Sequence, residues 1–234
     1  MIAPFYDHAG IQLFVGNCYD LLSQLPQGDH VITDPPYAPE THAGARTASL
    51  DGVLLDHEFE SADADWLSVV FERARPRRWL LSFIDWRHLY PLSQTPPEGL
   101  EFVRFGVWVK PNAAPQFTGD RPSQGWEAVG IWHNAETKKR WNGGGHHAAW
   151  IYNIEQGGHP TMKPLPLVQK LVRLFTDPGE LVVDPFCGSG TVLRACKDLG
   201  RKCIGIEQNE DYARMAVKRL SQESFDFSEV EERP

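Results

Sequence analysis

Asp34, Pro35, Pro36 and Tyr37 gather a carboxylate, two rigid backbone positions and an aromatic face into one tight turn at the end of an apolar run, Val31-Ile32. A strand that ends in a carboxylate delivers it to the carboxyl edge of a sheet, and successive prolines fix φ and keep the preceding residues extended. A planar exocyclic NH2 needs two acceptors. Asp34 and the Pro35 carbonyl supply them, and Tyr37 is placed to stack on the ring that carries the amine. The plain structural alternative is a Pro-Pro turn that only closes a strand.

A second constellation lies near the other end of the chain. Leu181, Val182 and Val183 form a buried-strand run ending at Asp184, and Pro185, Phe186, Cys187, Gly188, Ser189 and Gly190 then turn into a helix from Thr191, stopped by Gly200. A further strand ends at Glu207, close to the roughly 20-residue offset at which a βαβ nucleotide site places an acid on ribose hydroxyls. The glycines stop at Gly188 and Gly190, short of a dinucleotide fingerprint. The unit therefore reads as a site for a nucleoside-type cofactor whose reactive centre is not a phosphate.

Asp34-Pro35-Pro36-Tyr37 and Asp184-Pro185-Phe186-Cys187-Gly188-Ser189-Gly190-Thr191 together resemble the amino-methyltransferases that use S-adenosylmethionine on the exocyclic nitrogen of adenine or cytosine in DNA. The order, catalytic half before cofactor half, is that of the permuted β-type. The resemblance runs over residues 16–37, Trp108-Val109-Lys110-Pro111-Asn112, and His159-Pro160-Thr161-Met162-Lys163-Pro164 through to 220. It implies an α/β fold with a Rossmann-like class I methyltransferase sheet, mostly parallel with an antiparallel strand. It also implies S-adenosylmethionine as cofactor, DNA as partner and a base flipped out of the duplex. Asp184 to Gly190 then surround the methionine moiety, Asp34 borders both sites, Glu207 holds the ribose, and Thr161 with Lys163 lies near the cofactor's carboxylate end. Where many relatives carry an acid, this chain has Asn17, whose oxygen can still accept from an adenine amino group; Asp20 is the alternative. N6 of adenine is the favoured target, because Asp at the head of the tetrapeptide accompanies adenine more often in that family. Cytosine N4 remains open, as do RNA or protein-glutamine methylation and an inactive DNA-binding subunit.

Composition fits one α/β domain. The chain has 234 residues, 41% of them hydrophobic, with no run of about 18 apolar residues and no basic region followed by an apolar one at its start, so a cytoplasmic address is expected. Cys18, Cys187, Cys196 and Cys203 form no C-x-x-C pair and read as reduced, packed thiols. Neither Gly143-Gly144-Gly145-His146-His147 nor the pair Asp34 and Asp184 reads as a metal site. The net charge of −8 is awkward for a DNA enzyme, but the acids concentrate at 51–65 and 223–232. Phosphate contact needs only a local positive face, and Lys138, Lys139 and Arg140 beside Trp141 are the candidates.

Positioning these groups takes a set of elements. Periodicity and caps predict strands near 12–15, 30–33, 79–83, 102–109, 128–133, 181–184 and 202–207, and helices over 63–74, 166–175, 191–199 and 211–221. The weakly patterned stretches are 38–60, 111–125 and 134–158. The division that follows is a catalytic half over 1–133, a short candidate recognition loop over 134–158, a cofactor half over 159–220 and an acidic tail over 221–234. A recognition loop that short points to specificity shared with 38–60 or with a second subunit, making a homodimer possible.

Overall fold

Strands buried on both faces read as continuous apolar runs, and three such runs make the centre of this fold. The computed structural model describes residues 2–36, 63–155 and 162–222. Among these, nine strands form one sheet: β1 (Tyr6–His8), β2 (Ile11–Val15), β3 (His30–Thr33), β4 (Trp79–Ile84), β5 (Leu100–Val109), β6 (Trp126–Asn134), β7 (Ala149–Ile151), β8 (Leu181–Asp184) and β9 (Lys202–Glu207). Their spatial order is β1-β2-β9-β8-β3-β4-β6-β5-β7. The run β2-β9-β8-β3-β4 is parallel throughout, β1 and β6 are antiparallel to their neighbours, and β5 and β7 are parallel to each other.

Helices cover both faces. α1 (Cys18–Leu21), α2 (Ala64–Ala74) and α3 (Trp86–Gln94) lie on one; α4 (Leu165–Phe175), α5 (Thr191–Asp198) and α6 (Glu210–Ser221) lie on the other. The period-2 pleat divides neighbouring strand residues between the two layers. Val31 and Leu80 pack with Leu67, Phe71 and Leu89 of α2 and α3, whereas Ile32 and Leu81 pack with Leu167, Leu171 and Leu193 of α4 and α5. Asp63 caps α2 by accepting from the Trp66 N–H at 2.7 Å, and Asn209 caps α6 by accepting from those of Asp211 and Tyr212.

The connections leave β8 towards β9 on one side and β3 towards β4 on the other, while β8 and β3 themselves are neighbours. The crevice at the carboxyl ends of two such strands is where open α/β sheets bind ligands. Asp34 and Asp184 stand there, each at the end of its strand.

Five elements of the described residues lie outside the expected set, one of them the short 3-10 helix Leu22–Gln24. β1 is a three-residue edge strand, and α1 is a single turn capped by Asn17. α3 carries Pro91 in its interior, a residue that normally argues against helix because it removes a hydrogen-bond donor. β7 falls inside the stretch read as an unpatterned recognition loop, where it pairs with Val107 to Val109 of β5. The weakly patterned stretch over 38–60 and the acidic tail from 223 lie outside the described residues. No helix among the described residues is long and apolar enough to cross a membrane.

Candidate active site

The Asp34 turn is built from below by its own strand. Thr33, fully buried, donates its hydroxyl to Asp184 Oδ1 at 2.6 Å and so fastens the ends of β3 and β8 to each other. Asp34 then meets a cation from a distant part of the chain. Lys163 Nζ lies 2.5 Å from Asp34 Oδ2 and 3.3 Å from Glu127 Oε2, and it sits 5.1 Å from the centre of the Phe83 ring. The other oxygen of Glu127 receives the ammonium of Lys110, which in turn stands 4.6 Å over the Trp108 ring. Four charges therefore alternate in a row, Lys110, Glu127, Lys163 and Asp34, and sum to zero. Burial alone would lower the proton affinity of the Lys163 amine, but the two carboxylates outweigh it and hold the ammonium above its ordinary range.

The glycine loop forms the neighbouring half of the crevice. Asp184 is buried, and burial pushes its carboxyl up to about 7, aided by the charges of Asp34 and Glu207; the hydrogen bonds from Thr33 and from the Phe186 N–H oppose the rise. Gly188 adopts φ +50° with nothing within 4 Å of where a Cβ would stand, whereas at Gly190, φ +80°, a Cβ would come within 2.7 Å of Ala216. The first glycine leaves open space above the loop. The second lets α5 and α6 approach each other. Glu207 closes the crevice by accepting from the Gly188 N–H at 2.9 Å and the Asn209 N–H at 2.9 Å, and burial raises its carboxyl above the usual range. Asn17 lies beside it at the end of β2, where the Gly16 N–H bonds the Glu207 carbonyl; the Asn17 side-chain oxygen accepts from the Tyr19 N–H at 2.9 Å. Pro185 and Cys187 are buried in the loop floor, and burial lifts the Cys187 thiol well above its ordinary value. The Phe186 ring stands 5.6 Å from Trp66 of α2, Ser189 is half-buried, and the Thr191 hydroxyl faces the Arg219 guanidinium at 2.6 Å.

Lys163, expected near the cofactor's carboxylate end, has its ammonium engaged by Asp34 and Glu127, two carboxylates of the chain itself. Lys138, Lys139, Arg140 and Trp141 were expected at the DNA face, and they lie at the amino edge of the sheet, the opposite edge from Asp34. Because β6 is antiparallel to β4, with His133 opposite Trp79, the chain leaves β6 beside the start of β4. The Arg140 carbonyl accepts from Trp79 Nε1 at 2.7 Å, Arg140 pairs with Asp177 at 3.2 Å, Lys139 pairs with Glu101, and the Trp141 ring packs 5.5 Å from Phe175. Six residues of strand put about 16–20 Å between that patch and the Asp34 edge. Within the candidate recognition loop over 134–158, Asn142 Nδ2 bonds the Thr176 carbonyl and Asp177. Tyr37 and Thr161 lie outside the described residues.

Sequence reasoning missed Glu127 and Lys110 as members of this cluster. Lys110 had a signal, its place in Trp108-Val109-Lys110-Pro111-Asn112; Glu127 had none beyond an acid at the start of a buried strand. The hairpin over 111–125, joining β5 to β6, is one of the loop stretches expected from their weak pattern. It rises from the same edge as Asp34 and carries Phe117, 87% exposed.

Comparison with known proteins agrees with this arrangement. Residues 28–218 match the family of N6/N4-type DNA methylases. The type II methyltransferase M2.DpnII of Streptococcus pneumoniae is 26% identical over 257 aligned positions, spanning 96% of this chain and 94% of that protein. M.XycI of Xanthomonas campestris pv. cyanopsidis is 34% identical over 150 positions, 58% of this chain and 49% of that enzyme. Among solved structures, the complex of M1.HpyAVI with SAM superposes with a TM-score of 0.69 at 26% identity, covering 90% of this chain and all of that one. The family match covers most of the sequence, and the chain belongs to the DNA methylase family.

Proposed function

We propose that this member of the DNA methylase family transfers a methyl group from S-adenosylmethionine to N6 of adenine in DNA. The observation that carries the reading is the adjacency, at one switch point, of Asp34-Pro35 and the open glycine loop, with the Thr33 hydroxyl 2.6 Å from Asp184. The residues fit the cofactor. Gly188 leaves room for close approach, and Asp184 and Glu207, both raised by burial, supply acceptors for hydroxyls and for positive charge. When bound, S-adenosylmethionine supplies a methyl already activated by its sulfonium.

The chain's task is then alignment and charge accommodation. Asp34 and the Pro35 carbonyl accept the two amine N–H groups in the plane of the base and turn the nitrogen lone pair towards the methyl. As the N–C bond forms and the bond between the methyl and the sulfonium sulfur breaks, leaving a neutral thioether, positive charge passes to that nitrogen beside the Asp34 carboxylate, and one N–H proton is afterwards released to solvent. Tyr37 provides the stacking face for a base removed from the duplex. Adenine is favoured over cytosine because Asp34, rather than Ser, heads the tetrapeptide. Tritiated cofactor offered with DNA, RNA and protein, followed by nucleoside identification by mass, tests the reading. N6-methyldeoxyadenosine is expected; N4-methyldeoxycytidine alone overturns the base assignment, and label confined to RNA or protein overturns DNA as substrate.

A further inference from the structure

We propose that Lys163 is a positioning residue for methyl transfer: it holds Asp34 as a fixed anion, and Glu127 holds Lys163 in place. The inference rests on the reading of Asp34 as the acceptor for the target amine. It concerns residues 129 positions apart in sequence that meet at 2.5 Å, in a place where Lys163 is only 7% exposed.

The argument begins with the surroundings of Asp34. Asp184 lies one residue away through the Thr33 hydroxyl, Glu207 and Glu127 border the same crevice, and Asp85 at the end of β4 is paired with Arg87. Carboxyls crowded together and withdrawn from water favour their protonated forms. Asp184 shows the result, since its carboxyl stands at about 7. A protonated Asp34 would present an O–H donor to an amine that needs an acceptor, and would remove the negative charge from the point where positive charge develops. An ammonium at salt-bridge distance favours the ionised form.

Orientation is the second part. An ionised carboxylate offers about four acceptor directions, and one ammonium fixes the group while leaving others for a ligand. Lys163 needs an anchor of its own, because a four-carbon chain ending in a point charge has many rotamers. Glu127 supplies it at 3.3 Å, the Phe83 ring lies 5.1 Å below, and Lys110 balances the second charge of Glu127. The row thus reaches from the β5–β6 hairpin to the catalytic turn and lets the hairpin position bear on the orientation of Asp34.

The test compares wild type with K163M, K163R and the double variant K163M/E127Q. In K163M the turnover on DNA falls by roughly 10- to 100-fold near pH 6.5 and recovers much of the loss near pH 9, because alkali ionises Asp34 without help. K163R keeps the wild-type pH profile. Affinity for S-adenosylmethionine, measured by calorimetry, stays within about 3-fold in all variants. A carboxyl-13C NMR titration of the free protein reads the same effect without substrate: the Asp34 midpoint moves up in K163M and not in K163R. Where K163M does not fold, K163M/E127Q, which removes one charge of each sign, is titrated in its place with the same upward movement expected. An unmoved Asp34 midpoint, or a loss of cofactor affinity with turnover unchanged, overturns the inference. Wild type that methylates no DNA overturns the functional reading instead, and the NMR titration still decides the role of Lys163.

Discussion

Two neighbouring strands of this sheet, β3 and β8, end in the same dipeptide, Asp34-Pro35 and Asp184-Pro185, and the two aspartates have opposite electrostatic fates. Asp34 faces the Lys163 ammonium, inside a row of alternating charges. Asp184 has no cation partner among the described residues; it relies on a hydroxyl and one backbone N–H, and its carboxyl rises to about 7. The same residue type at the same kind of strand end is thus prepared for two tasks. In the reading proposed above, one is an anion suited to a neutral amine that becomes positive. The other is a carboxyl whose charge state responds to what binds beside it.

The contrast is broken most severely at Asp34. In D34N the shape is kept and the charge removed, so the rate of methyl transfer is expected to fall by about 10³-fold while affinity for the cofactor changes by less than about 3-fold. Single-turnover kinetics and calorimetry check the two halves of that statement, and equal losses in both would show that Asp34 serves the cofactor rather than the amine.

The glycine loop gives the next effect in size. At G188V the new Cβ has no described atom within 4 Å, so the fold should survive the cost of φ +50°, while cofactor affinity weakens by about 10-fold or more. G190V drives a side chain into Ala216, 2.7 Å from the new Cβ, and is expected to lower the thermal midpoint strongly before any binding is measured. Calorimetric melts beside cofactor titrations separate the two. A normal melt for G190V would refute its role as the contact that lets α5 and α6 approach.

Asp184 yields a pH prediction. Its folded-state value, about 7, stands above the ordinary aspartate value of 3.8, so the folded chain holds this proton more tightly than the unfolded chain does. The stability linked to it is complete below about pH 4 and is lost as pH rises to about 7, with no further change above that. D184N cannot ionise, so its melting temperature should exceed that of wild type by several degrees at pH 8, with the advantage vanishing near pH 4. Parallel melting curves at all pH values would mean that Asp184 is not the group responsible.

The smallest effect concerns the two edges of the sheet. K138A/K139A removes two cations from the amino edge, and DNA affinity at fixed salt should change by less than about 2-fold. F117A, on the hairpin at the carboxyl edge, is expected to weaken DNA binding by several-fold through lost stacking or wedging. Fluorescence anisotropy with a short duplex measures both, and a larger loss in the lysine variant would move the DNA face to the opposite edge.

Local pattern made much of the fold legible. Period-2 and continuous apolar runs located seven of the strands, and the helices expected over 63–74, 166–175, 191–199 and 211–221 begin within a residue of those observed. The strand-end carboxylates and glycine loop were legible as well, because a carboxylate after an apolar run and a glycine at positive φ are requirements of the backbone itself. α3 was hidden by Pro91 and β7 by its three-residue length, both cases in which packing against the sheet outweighs local preference.

What the tertiary structure alone decided is which side of the sheet each polar group occupies and which charges meet. Residues 138–141 carry the composition of a nucleic-acid patch, and the reversal of direction at β6 sends them to the edge opposite Asp34; strand direction is a property of the whole sheet rather than of any segment. Lys163 and Asp34 are each visible in sequence as functional residues, but the partnership across 129 residues is not. It exists because β8 inserts beside β3 and brings the segment before α4 over the start of β6, where Coulomb attraction in a buried site selects the pairing that leaves no charge uncompensated.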